Sequence, residues 1–234
     1  MTVPPWLCVD LPLTEYEDAL ALQREIVAAR KDRLPDRDVV LLLEHPPVFT
    51  LGRHGGRENL TATEGFLSER GIRVVQIERG GNITYHGPGQ LVAYPILDLN
   101  ALRLPVKDYV TGLERVMAAA AADQGVVAAG DEKNRGIWVE NRKLGSIGIT
   151  VRRGISFHGL ALNVNTDLAP FNWIHPCGLH NVRITSLQAE RGREVEMAAV
   201  RKSMIRHLTG MMGREGVPTS LDALREQMQS VPGK

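Results

Sequence analysis

Two cysteines occur in 234 residues, and their surroundings differ. Cys177 lies between Pro176 and Gly178, within the run Ile174-His175-Pro176-Cys177-Gly178-Leu179-His180. Proline and glycine fix such a loop and leave room for a carbonyl beside sulfur. Only a thiolate attacks, and a free thiol titrates near roughly 8.5, so a nucleophilic cysteine needs an activating neighbour. His175, His180 or His158 would make a Cys–His pair of hydrolase type. Lys143, in the run Lys143-Leu-Gly-Ser-Ile-Gly-Ile149, is the other candidate cation, although spacing alone gives a hairpin lysine no role. Cys8 falls in an apolar run and reads as a buried structural thiol. The His175–His180 loop also holds metal-ligand types, but it has neither a Cys-x-x-Cys pair nor a helical His-x-x-x-His, so no metal is expected.

A second concentration of chemistry is the stretch from Arg79 to Gln90, RGGNITYHGPGQ. Its glycines, Gly80, Gly81, Gly87 and Gly89, let backbone approach a ligand closely because no Cβ intervenes. Thr84, Tyr85 and His86 add side-chain hydrogen bonding beside that bare backbone. A plain hairpin would need the glycines, but not Arg79, His86 and Gln90 as well.

These residues need elements to hold them. The apolar runs Ile72–Ile77 and Leu91–Leu97 read as buried strands clamping the glycine stretch, with Pro95 placing the second at an edge or ending its ladder early. Trp6–Leu11, Val39–Leu43 and Val48–Leu51 read as further strands. Thr14 and Glu17 form a capping box for a helix from Glu15 to Ala29. Thr63–Arg70 reads as a short helix closed by Gly71. Val106–Gln124 carries a helical apolar stripe through Tyr109, Leu113, Val116, Met117 and Ala120. Val126–Ala129 and Gly136–Glu140 read as strands, and Asn141-Arg142 as the turn into Lys143–Val151. Ile155–Val164 is another strand, and Thr166–Asn181 is irregular. Val195–Met212 and Leu221–Met228 are amphipathic helices. Strands in the middle and helices at both ends predict an α+β fold around a mixed, mostly antiparallel sheet. Residues 1–234 are expected to form one domain, with C-terminal helices over about 195–230 packing on it.

The formal net charge of +1 argues against general nucleic-acid or membrane-surface binding, and the apolar fraction of 43% suffices for a full core. No apolar stretch is long enough to cross a bilayer, and the N-terminus carries no secretory pattern. One disulfide between two distant cysteines is less expected than a reduced, cytoplasmic chain.

The run RGGNITYHGPGQLVAY over residues 79–94 resembles the signature of the lipoyl(octanoyl) transferase family. So do Glu44–Thr50, Lys143–Ile149, Phe157–Asn165 and Pro176-Cys177-Gly178, which follow in the family's order. The lysine is followed here by Leu-Gly-Ser, where many members have Ile-Ala-Ser. The resemblance implies a catalytic domain similar to those of lipoate and biotin protein ligases. It implies transfer of an octanoyl group from octanoyl-acyl carrier protein to one lysine of a lipoyl domain. The acceptors would be the apo lipoyl domains of 2-oxoacid dehydrogenase E2 subunits and the glycine cleavage H protein. Cys177 maps onto the acyl-thioester nucleophile and Lys143 onto its dyad partner. The implied substrate-binding residues are Arg79, Gly80, Gly81, Asn82, Ile83, Thr84, Tyr85 and His86, then Ser146, Ile147 and Gly148, then Gly159, Leu160 and Ala161. No cofactor is implied, because thioester exchange is close to thermoneutral and amide formation is downhill. Two rivals are an ATP-dependent ligase on the same fold, for which Gly52–Arg57 would be the nucleotide loop, and a non-catalytic carrier-binding module.

Overall fold

A computed structural model describes residues 4–30, 32, 34–175 and 182–229. Cys177 and His180 lie outside the described residues. In chain order the elements are β1 (Trp6–Leu13), α1 (Tyr16–Arg30), β2 (Val39–Glu44), β3 (Val48–Leu51), α2 (Glu64–Glu69), β4 (Arg73–Gln76), β5 (Ile83–His86) and β6 (Gln90–Ile96). Then come α3 (Val106–Asp123), β7 (Ala129–Gly130), β8 (Ile137–Val139), β9 (Arg142–Arg152) and β10 (Ile155–Asn163). The last are β11 (Arg183–Ile184), α4 (Leu187–Arg191), α5 (Met197–Met212), β12 (Gly216–Pro218) and α6 (Leu221–Gln229).

The larger sheet runs β12-β1-β2-β6-β10-β9-β8-β7, with β11 added alongside β9. Pairing is parallel at β12–β1, β1–β2 and β11–β9 and antiparallel elsewhere, so the sheet is mixed and mostly antiparallel. The apolar runs of β2, β6 and β10 occupy its centre, where both faces are covered. One face packs on α3 and α5 through Leu113, Met117, Val200, Met204 and Leu208. The other packs on α1 and α6 through Ala19, Leu22, Ile26 and Leu224. A smaller sheet, β4-β3-β5, stands apart, with its own cluster of Phe49, Ile83, Tyr85 and Phe171.

Four expectations need correction. Of the two expectations for Pro95, the edge position fails, since it lies inside β6 opposite Val40 of β2, while the early end of a ladder holds. The β6–β10 ladder spans only Gln90–Ala93, so the missing N–H falls beyond its end, where His158 takes a φ of +57°. There the Pro95 carbonyl accepts the Ser156 hydroxyl at 2.9 Å and the Tyr109 hydroxyl at 3.3 Å. Ile72–Ile77 is not a buried core strand but contributes β4, half-exposed in the small sheet. Thr14 forms no capping box, because its hydroxyl donates to Pro12 O at 2.8 Å and its N–H to Glu44 O at 3.0 Å. Val126–Ala129 shrinks to the two-residue β7. Thr63, by contrast, does cap α2, accepting the Phe66 N–H at 3.3 Å.

Candidate active site

A cleft opens between the larger sheet and the smaller one. Its floor comes from Lys143, Ser146, Ile147 and Gly148 of β9 and from His158, Gly159, Leu160 and Ala161 of β10. Its opposite wall comes from Arg79, Gly81, Asn82, Ile83, Thr84 and His86. The structure therefore gathers most of the residues singled out in the sequence around one space. Of the implied substrate-binding residues, Gly80 and Tyr85 alone do not line it. Gly80 instead ties the wall to the floor, its N–H donating to Ile149 O at 2.9 Å. Tyr85 packs edge-on against the cleft residue Phe171 at 5.4 Å between ring centroids.

Local chemistry explains why the wall holds its shape. Arg79 is 7% exposed, and its fork grips Thr50, donating to the hydroxyl at 2.8 Å and the carbonyl at 2.7 Å. The Gly81 carbonyl accepts the His54 N–H at 3.1 Å, and Gly81 itself takes a φ of +85°, which glycine adopts without strain. The turn at Gly89 is fixed by Glu44, whose carboxylate accepts the Gly89 N–H at 2.8 Å. From there a buried chain of amides runs on. His86 Nδ1 donates to Gln90 Oε1 at 2.7 Å, Gln90 Nε2 to Asn163 Oδ1 at 2.9 Å, and Asn163 Nδ2 to Thr185 O at 2.9 Å. The Thr185 N–H then donates to Lys143 O at 2.9 Å. The glycine-rich wall and the lysine strand are thus one connected network.

Lys143 is 4% exposed and faces Trp138 on β8, with Nζ 5.3 Å from the ring centroid. Ile184 of β11 pairs with it on the other side. Gly136 lies against the lysine stem: a Cβ there would come within 3.0 Å of Lys143 Cε and closer still to Gly145 O. Gly136 is in turn held by the buried Glu114, which accepts its N–H at 3.0 Å and pairs with Arg135 at 3.0 Å. Glu114 and Gly136 were not singled out from the sequence. A carboxylate between Leu113 and Val116 on an apolar helical stripe is the signal that would have found the first.

The other end of the cleft is polar. His45 Nδ1 donates to Thr14 O at 2.7 Å, which leaves Nε2 to accept the Tyr94 hydroxyl at 2.7 Å. Burial pushes the His45 imidazole down to about 4, against the pull of the Thr14 carbonyl. Burial also holds His86 well below the usual histidine range and raises the Tyr16 and Tyr94 hydroxyls. His158 is 1% exposed, and burial lowers it to about 4, with the nearby Glu78 carboxylate opposing. Tyr16, Tyr94 and Phe171 line the cleft but escaped the sequence reading, since they lie on elements distant in the chain.

Cys8 is a buried free thiol in β1, pushed up to about 11 by burial and then by Asp10, so it stays protonated near neutrality. His158 sits opposite Ile149, six residues along β9 from Lys143. Among the described residues no cluster of three or more histidine, cysteine or acidic side chains has metal-binding geometry. No helix among them is long and apolar enough to cross a membrane.

Comparison with known proteins gives a consistent picture. Residues 15–209 match the family model described as the lipoyl protein ligase A/B catalytic domain. The octanoyltransferase of Desulfotalea psychrophila is 48% identical over 219 residues, covering 93% of this chain and 98% of that one. The octanoyltransferase of Syntrophobacter fumaroxidans is 43% identical, covering 88% and 90%. In fold, the chain is similar to a lipoate-protein ligase A crystallised with ATP, with a TM-score of 0.76 at 15% identity, covering 97% of this chain and 93% of that one.

Proposed function

The chain belongs to the octanoyltransferases of the lipoyl protein ligase A/B catalytic-domain family, and from that membership we propose that it works through a thioester on Cys177 assisted by Lys143. The donor is octanoyl-acyl carrier protein, and the acceptor is one lysine of an apo lipoyl domain, on a dehydrogenase E2 subunit or the glycine cleavage H protein. The Cys177 thiolate attacks the octanoyl carbonyl, the carbon–sulfur bond to the carrier breaks, and the departing thiolate takes up a proton. The acceptor amine then attacks the Cys177 thioester. The new amide forms as the bond to Cys177 breaks, and the amine's proton passes to Lys143 in its neutral form or to the released thiolate. The reaction runs in the cytoplasm without ATP, metal or cofactor.

The buried Lys143 at one end of the cleft is the observation that carries this reading. An ammonium about 4 Å from a thiolate contributes on the order of 4 kcal/mol at an effective dielectric of about 20. A third of that lowers a thiol by about one pKa unit. The chain flanking residues 176–181 is anchored at the same cleft. Before it, the His175 N–H donates to Asn59 O at 2.8 Å, and Asn59 Nδ2 donates to Asn82 Oδ1 at 3.1 Å. After it, Ile184 pairs with Lys143. The substrate-contacting residues are those of the cleft, with Gly80 and Tyr85 supporting them.

Single-turnover transfer from octanoyl carrier protein to an apo lipoyl domain, without ATP, tests this. The parent protein transfers, and Lys143→Met falls by about 10²- to 10⁴-fold, the usual worth of a positioned base. Lys143→Arg retains more thiol alkylation reactivity than Lys143→Met, yet transfers poorly, because guanidinium does not deprotonate. A requirement for ATP, or a Met variant that transfers at the parental rate, contradicts the proposal.

A further inference from the structure

Glu114 sits where a carboxylate is costly. It lies on the apolar face of α3 between Leu113 and Val116, and it is 4% exposed. Its side chain reaches the two residues that lead into β8. One oxygen accepts the Gly136 N–H at 3.0 Å, and the other accepts Arg135 Nη1 at 3.0 Å. Gly130 of β7 lies against the same carboxyl group, since a Cβ there would come within 3.0 Å of Oε2.

The start of β8 matters to the lysine. Ile137 pairs with Gly145 and Trp138 with Lys143, so the ladder to β9 skips Leu144. A bulge of this kind re-aims the side chains beside it. Lys143 leaves β9 at that bulge, with Nζ 5.3 Å from the Trp138 ring centroid and its stem against Gly136. The Trp138 ring is itself tethered, its Nε1–H donating to Asn134 O at 2.9 Å. Asn134 is fixed in turn by Asp131, whose carboxylate accepts its N–H at 2.7 Å. The segment 134–138 is therefore a strap along one side of the lysine, and it meets α3 through the Glu114 carboxylate.

We propose that Glu114 is a positioning residue for the transfer reaction, fixing the start of β8 and, through Gly136 and Trp138, the place of the Lys143 side chain. The inference rests on the reading that Lys143 assists the Cys177 thioester. Gly136 holds a φ of +125°, which directs its buried N–H at α3. An apolar residue at position 114 would leave that N–H without its acceptor, and a buried donor left unsatisfied costs more than a hydrogen bond gains. The strap would then move to find another partner, and the lysine with it. Glu114 is not among the residues lining the cleft, so its loss should appear in the rate of transfer and not in the binding of the carrier.

Three substitutions test this by single-turnover transfer from octanoyl carrier protein, per folded molecule. Glu114→Leu keeps an apolar side chain of similar size and removes the acceptor. A misplacement of about 1 Å can cost on the order of a hundredfold, and this variant should fall by about that factor with the half-saturating carrier concentration unchanged. Glu114→Gln keeps an acceptor for Gly136 and should recover most of the loss. Glu114→Asp draws the carboxylate back by one methylene, should fall between the two, and replaces the Leu variant if that one folds poorly. The deciding measurement combines Glu114→Leu, or Glu114→Asp, with Lys143→Met. Independent effects multiply, whereas a residue acting through the lysine has nothing left to act on once the lysine is gone. The double variant should therefore transfer no more slowly than Lys143→Met alone. A double variant slowed by the product of the two single losses, or position-114 variants that transfer at the parental rate, overturns the proposal and leaves the role of Lys143 standing. If Lys143→Met itself transfers like the parent, the underlying reading fails and the proposal with it.

Discussion

The two ends of the cleft are both buried and both built around a basic side chain, yet they are finished differently. Lys143 is seated on a long strand, beside the Trp138 ring, with a glycine against its stem and a buried glutamate behind that glycine. His158 stands at a positive φ with both ring nitrogens unsatisfied, and Arg79 beside it grips Thr50. Unsatisfied buried nitrogens are costly, and folds retain them where the site gains from them. The comparison sets a buried lysine seated against an aromatic ring beside a buried imidazole that makes no hydrogen bond.

The sharpest way to break the lysine end without touching the lysine is Gly136→Ala. Its φ of +125° is closed to other residues, and the added Cβ meets Lys143 Cε and the Gly145 carbonyl. A misplacement of about 1 Å can cost on the order of a hundredfold in rate, whereas the backbone strain costs about 1–3 kcal/mol of stability. We expect transfer per folded molecule to fall by about that factor, read by single-turnover assay alongside thermal melting. Normal transfer in the folded fraction would show that Lys143 is not positioned from that side.

A smaller effect distinguishes the histidine end. Below its unfolded pKa near 6.5, an unfolded histidine takes up a proton that buried His158 and His45 refuse until about 4. Their folded pKa values are depressed, so the unfolded state gains protons first and stability is lost as pH falls from about 6.5 towards 4. Each contributes a loss of about 2 kcal/mol by pH 5. Urea unfolding at pH 7 and pH 5 measures this, and His158→Asn should flatten the dependence by about one histidine's share. An unchanged slope in that variant would mean His158 is protonated in the folded protein.

Much of the fold was legible because it rests on local patterns. Val39–Leu43 and Leu91–Leu97 are continuous apolar runs, and with Ile155–Val164, which Ser156, His158 and Asn163 interrupt, they are the strands buried on both faces. The stripe through Tyr109, Leu113, Val116 and Met117 is the face α3 buries. Of the smaller sheet, β3 and β4 were read as strands, but β5 was hidden. Ile83 and Tyr85 alternate as a strand should, but the surrounding glycines mask a four-residue run. Lys143 shows the same limit at the site: no spacing marks it, and only the resemblance of its surrounding run did. The corner at Arg79 and His158 was out of reach altogether, since it depends on the register that sets Gly148 beside Gly159 and on Thr50 of β3 holding Arg79. Cys177 was marked by its neighbours in sequence.

The most direct measurement is the intact mass of the protein after incubation with octanoyl carrier protein alone, followed by peptide mapping and hydroxylamine treatment. The account predicts one octanoyl adduct, on Cys177, formed without ATP and released by hydroxylamine. Cys8, buried and held protonated, serves as the internal control. An adduct on Cys8, or none until ATP is supplied, would contradict it.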